Sequence, residues 1–115
     1  MKSLAMVAAL FMLAGGPFMS TASAGAKIAL VLDVGGRGDL SFNDMGFKGT
    51  DEAQANLGVE VVEIQSNSAA DYLPNMQNAA RSGKFDLIVA VGFLLADAMA
   101  EVADQFPDQK FAIID

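Results

Sequence analysis

The sequence predicts a doubly wound α/β fold, and three observations carry that expectation. Four short apolar runs, Ile28 to Leu32, Val59 to Ile64, Leu87 to Val91 and Phe111 to Ile114, are rich in β-branched residues and too short for helices. Three stretches of helical length separate them. The runs are continuous rather than alternating, which implies a sheet covered on both faces. Strand-helix alternation then implies parallel strands joined by right-handed crossovers, in the order βαβαβαβ.

Ahead of the first strand, residues 1–24 read as an export address. Lys2 supplies the positive start, Leu4 to Ala14 the apolar core, and Ala22-Ser23-Ala24 a small-residue cleavage site, so processing is expected before Gly25. Gly15-Gly16-Pro17 interrupts the apolar run well short of the ~20 residues that span a bilayer, so no membrane insertion is expected after cleavage. The absence of cysteine removes disulfides, thiol catalysis and a lipidated cysteine at the processing site.

The remaining elements follow in order from Gly25. The first strand ends at Asp33, and the first helix is expected to open at a Ser41/Asp44 capping box and to stop at Gly58. Gly46 and Gly49 lie inside that helix, where each costs about 0.5–1 kcal/mol against Ala; a close approach of helix to sheet explains them best. The second helix starts near Asp71, accepts Pro74 in its first turn and ends at Ser82-Gly83. The third runs from about Leu94 to Gln105, with Pro107 beyond it.

Charge narrows the partners. The chain has 14 acids and 7 bases; without Lys2 of the leader, residues 25–115 carry 14 against 6, a formal charge of −8. Nucleic acid is therefore not expected as a partner, because its binding requires clustered Lys and Arg. No metal or other cofactor is expected. There is no His, no Cys and no G-x-S-x-G elbow, so the usual nucleophile-base pairs are missing, and binding is a simpler role than catalysis.

In an open parallel sheet ligands bind beyond the carboxyl ends of the strands. Those ends are Asp33, Gln65-Ser66, Gly92 and Asp115, two of them acids. An acid there serves equally as a loop starter or helix cap, but two on one rim favour a site that accepts hydrogen bonds from hydroxyls, ring N–H groups or amines and repels phosphates. The intervening loop, Gly35-Gly36-Arg37-Gly38, fits neither G-x-G-x-x-G nor G-K-[ST]. A calcium loop starting at Asp33 would put Gly35 and Arg37 where oxygen ligands are required. Phe42 and Asn43 open the first helix; each can pack or cap, or face a ligand.

Taken together, Lys27 to Asp33, the Asp39-Leu40-Ser41-Phe42-Asn43 motif with Gly49 six residues on, Asp71-Tyr72-Leu73-Pro74, Gly92-Phe93 and Phe106 to Asp115 resemble the amino-terminal part of the basic membrane protein family. These are purine-nucleoside-receptor-like substrate-binding proteins of ABC importers. The resemblance implies a type I periplasmic-binding-protein fold, whose two α/β lobes close on a nucleoside and deliver it to a membrane permease and ATPase. It also implies a periplasmic location, docking at the outer face of the cytoplasmic membrane. Position by position it makes Asp33 an acid that hydrogen-bonds the ligand, Phe42 the ring that stacks on the base, Asn43 the amide beside it and Asp115 the acid ending the fourth strand. Ser41, Gly92 and Phe93 complete the candidate set. The second lobe and its stacking aromatic are absent from these 115 residues, so the expectation is a fragment of a longer protein. A sugar-binding or ligand-sensing protein is the alternative, and a nucleoside hydrolase using Asp33 the enzymatic one.

Overall fold

The computed structural model describes residues 25–115, and the leader expected over residues 1–24 lies outside them. Four strands, β1 (Lys27–Leu32), β2 (Glu60–Ile64), β3 (Leu87–Val91) and β4 (Phe111–Ile114), alternate with α1 (Phe42–Leu57), α2 (Tyr72–Ser82) and α3 (Ala96–Gln105). All pairings are parallel in the order β2-β1-β3-β4, as the alternation predicts. Short 3-10 turns, Ala69–Asp71 and Phe93–Leu95, lead into α2 and α3. The third α-helix therefore begins at Ala96, two residues later than the sequence expectation, because Leu95 N–H bonds back to the Gly92 carbonyl in a tighter turn.

Side-chain alternation in the strands builds two cores. Ala29, Val31, Ile88 and Ala90 face α2 and α3, where they meet Tyr72, Met76, Leu95, Met99 and Val102, all buried. Leu30, Leu32 and Val91 point to the other face and meet Phe47 of α1. Burial on both faces, which the continuous apolar runs predict, holds for the central strands β1 and β3; the edge strand β4 departs from it, with Ala112, Ile113 and Ile114 exposed.

The close approach proposed for the helix glycines holds for one of them. A Cβ on Gly46 would lie 3.0 Å from Val91 Cγ2, so the residue lets α1 sit down on β3. Gly49 meets nothing within 4 Å and lines an open apolar groove instead. The groove, about 230 Å³, runs between α1 and strands β1, β3 and β4 and is lined by Leu30, Phe42, Met45, Val89 and Ile114 among others.

The topology also sets the switch point of the sheet, the position at which doubly wound folds bind ligands. α1 lies on one face and α2 on the other, so the two crossovers flanking β1 diverge there, and the crevice opens at the carboxyl ends of β1 and β3. Asp33 and Gly92 are the residues immediately beyond those ends, and Leu32 pairs with Val91.

Candidate functional site

The loop from β1 to α1 is organised by three carboxylates. Asp33 Oδ1 accepts hydrogen bonds from the Gly35 backbone N–H at 2.8 Å and from Asn43 Nδ2 at 2.6 Å. Asp39 accepts the backbone N–H groups of Ser41, Asn43 and Asp44 at 2.8, 3.0 and 3.0 Å, and Asn43 Nδ2 at 3.0 Å. Asp44 reaches back to accept Gly38 N–H at 2.7 Å and Leu40 N–H at 3.0 Å. This corrects the expected Ser41/Asp44 capping box. The Ser41 side chain makes no capping bond, because the Asp39 carboxylate already occupies the first-turn donors that Ser41 would have served. A capping box does form at the start of the next crossover, between Ser68 and Asp71.

Burial disfavours the charge on Asp39, but the backbone N–H donors of Ser41, Asn43 and Asp44 and the Asn43 amide together hold its carboxyl below its ordinary value. The loop is further tied down by Arg37, which ion-pairs with Glu63 of β2 and lies 3.5 Å from the ring centroid of Phe47. Leu40 adopts a left-handed φ of 55°, unusual outside glycine, with its side chain 91 % exposed.

Asn43 is 1 % exposed, and its amide nitrogen bridges Asp33 and Asp39. Its Oδ1 is the one buried side-chain polar atom without a partner among the described residues. Two glycines frame the cluster. A Cβ on Gly35 would lie 3.0 Å from both Asn43 Nδ2 and Asp33 Oδ1, and one on Gly92 would lie 3.2 Å from Asp33 Oδ2. Gly92 also has φ of +98°, which a side chain would strain. It donates to the Ile114 carbonyl at 2.8 Å, linking the ends of β3 and β4.

The sequence-derived candidates thus fall into two groups. On the β1-β3 side Asp33 meets both Asn43 and Gly92. Phe42 is half exposed and lines the apolar groove with Ile114, whose neighbour is Asp115. Phe93 and Ser41 are exposed on the rim, and Asp115 is separated from Asp33 by β3, about 10 Å at normal strand spacing. Asp39 lies in the Asp39-Leu40-Ser41-Phe42-Asn43 motif but not among the sequence-derived candidates; the sequence signal for its capping role is an Asp a few residues ahead of a helix start.

A larger cavity, about 440 Å³, opens at the opposite edge of the sheet, among Gly83, Phe85, Phe106 and Pro107. It lies at the amino ends of β3 and β4, where doubly wound folds do not place ligands, so the carboxyl-end rim is the candidate taken forward. Among the described residues no group of three or more His, Cys, Asp and Glu is placed to hold a metal ion, and no helix is long and apolar enough to cross a membrane.

Comparison with known proteins identifies the architecture. A model of the Bmp family, described as ABC transporter substrate-binding protein PnrA-like, matches residues 26–115. The chain belongs to the Bmp family. An uncharacterised lipoprotein of Pyrococcus furiosus is 51 % identical over 89 residues, 77 % of this chain and 22 % of that protein. The ABC transporter nucleoside-binding protein BmpA of Lactococcus lactis is 36 % identical over 93 residues, 77 % of this chain and 26 % of that protein. Among solved structures, a solute-binding protein of an ABC transporter system from Aeropyrum pernix K1 superposes with a TM-score of 0.75 at 48 % identity, covering 78 % of this chain and 24 % of that one. The Bmp chain described here therefore spans about a quarter of the length of these relatives. The matched family is one of ABC transporter substrate-binding proteins.

Proposed function

We propose that residues 25–115 form one lobe of an exported solute-binding protein that holds a nucleoside, most simply a purine nucleoside, and hands it to the permease and ATPase of an ABC importer. In this reading residues 1–24 are the export leader, the protein works outside the cytoplasmic membrane, and a second lobe in a longer protein closes the cleft. The observation that carries it is the pairing of chemistries on one rim. Asp33 has one oxygen committed to the loop, and its Oδ2 makes no hydrogen bond among the described residues. The half-exposed ring of Phe42 opens the helix beside it.

A free carboxylate oxygen accepts from a ribose hydroxyl or a base N–H, and an aromatic face stacks on a base for about 1–3 kcal/mol. Asp115 supplies a second acceptor across β3, and Asn43 acts at the junction between Asp33 and the helix. Ser41, Gly92 and Phe93 complete the rim, Gly92 by leaving room for the Asp33 carboxylate. A net acidic surface and rim carboxylates disfavour phosphorylated forms, so a nucleoside fits better than a nucleotide. The name of the Lactococcus relative, a nucleoside-binding protein, supports the same ligand class.

Sugars and polyols are the second reading, because an acceptor-rich rim suits vicinal hydroxyls equally well. Calorimetric titration with inosine, guanosine and a panel of free sugars separates the two. Binding of inosine with no response to ribose, glucose or inositol supports the nucleoside; the reverse order replaces it with a sugar. Appearance of free base on incubation with inosine would convert the binding protein into a hydrolase that uses Asp33.

A further inference from the structure

We propose that Asp39 is a positioning residue of the binding rim, acting through Asn43 to fix the Asp33 carboxylate with one oxygen committed to the loop and the other presented to the ligand. The inference rests on the rim being the ligand site, and it adds a residue that does not itself touch the ligand.

The geometry separates two tasks on one carboxylate. Asp39 Oδ1 takes the backbone N–H groups of Ser41 and Asp44, which is ordinary capping. Its Oδ2 takes the Asn43 backbone N–H and also the Asn43 side-chain amide. Capping alone does not require that last bond. The same Nδ2 donates to Asp33 Oδ1, so a single amide group lies between two carboxylates. Rotating the amide by half a turn would set Oδ1 against both carboxylate oxygens, replacing two attractions with two repulsions at a buried position. The orientation is therefore fixed, with the hydrogens toward the acids.

Two further observations fit this arrangement. Asn43 Oδ1 is left without a partner, a cost accepted where the opposite orientation is worse. Gly35 leaves the space the cluster needs, since a Cβ there would meet Asn43 Nδ2 and Asp33 Oδ1 at 3.0 Å. The chain of contacts runs from the first turn of α1 through Asp39 and Asn43 to Asp33 at the end of β1. A carboxylate held at one oxygen presents the other with little loss of side-chain freedom on binding.

The discriminating variant is Asp39→Asn. It keeps an oxygen for Ser41 and Asp44 but turns the group that faces the Asn43 amide from acceptor to donor. In isotope-labelled full chain, the Asn43 side-chain amide resonances are expected to move and to lose hydrogen-exchange protection, while helix content by circular dichroism stays at the wild-type level. Inosine affinity is expected to fall about tenfold or more. Unchanged Asn43 resonances overturn the proposal, and so does unchanged inosine affinity in a variant whose Asn43 resonances have moved. If the wild type itself shows no inosine binding, the nucleoside reading fails and the amide resonances alone decide the role of Asp39. Should Asp39→Asn not fold, acid titration of the wild type followed at the carboxyl carbons decides instead. Asn43 amide shifts that track the Asp39 carboxyl and carry with them the Gly35 amide, whose N–H donates to Asp33 Oδ1, support the relay, and a Gly35 amide that stays still as Asp39 protonates contradicts it.

Discussion

The two sides of the rim are built in opposite ways. At the β1 side, Asp33, Asp39, Asp44 and Asn43 share a dense set of hydrogen bonds, and Arg37 pins the loop to Glu63 and Phe47. At the β4 side, Phe93, Leu94, Ile114 and Asp115 are exposed, and Phe42 overlooks an open apolar groove. The contrast teaches that the polar groups of the rim are held in place by the lobe's own hydrogen bonds, whereas the apolar residues are left uncovered; on the proposed reading the first set is ready before a ligand arrives and the second is not. Preorganised acceptors reduce the ordering cost of binding, and an exposed ring contributes only once a flat partner lies on it.

The strongest way to break the contrast is at Asp33. Asp33→Ala removes the free acceptor and also one of the two partners of the buried Asn43 amide, so a loss of about 1.5–3 kcal/mol in nucleoside affinity is expected, read by calorimetry. Phe42→Ala acts on the bare side. It is expected to cost about 1–3 kcal/mol of affinity with little change in thermal midpoint, because the ring is half exposed in the unbound chain. Equal losses of stability and affinity at Phe42 would mean that the ring belongs to the packed side after all.

Gly92→Ala sharpens the comparison from the strand between them. Its positive φ and its approach to Asp33 predict about 1–2 kcal/mol of lost stability by denaturant titration, with a displaced Asp33. Arg37→Ala should cost less, about 0.5–1 kcal/mol of stability, since the ion pair is largely exposed and the guanidinium stacks on a single ring.

The smallest expected effect is the pH response of the cap. The Asp39 carboxyl lies below its ordinary value in the folded chain, so its contribution is fully present above the unfolded carboxyl value. That contribution is lost as pH falls through the folded value, which lies below 3.8. Helix content followed by circular dichroism should therefore be flat from neutral pH to about pH 4 as far as this group is concerned, with the cap weakening only in stronger acid.

Much of this was legible from the chain. Continuous β-branched runs such as Ile28 to Leu32 and Leu87 to Val91 announced central parallel strands, because burial on both faces leaves no polar alternation to hide them. Asp33 and Gly92 were placed correctly on the rim because parallel topology puts all strand ends on one edge. The wiring was not legible. Ser41 satisfies the local rule for a cap as well as Asp39 does, and only the path of the loop decides which side chain reaches the first turn. Likewise, Gly46 and Gly49 lie three residues apart on one helix, and only the seating of α1 on the sheet separates the one whose Cβ would meet Val91 from the one that faces open space.

The most direct test of a carboxyl-end nucleoside site is a titration of the isotope-labelled protein with inosine, followed by backbone amide shifts, which registers weak binding to a single lobe. Saturable shifts are expected, concentrated at Asp33, Gly35, Phe42, Asn43, Gly92 and Phe93. Shifts centred instead on Gly83, Phe85 and Phe106 around the larger cavity at the opposite edge, or none up to the solubility limit of inosine, would contradict that site.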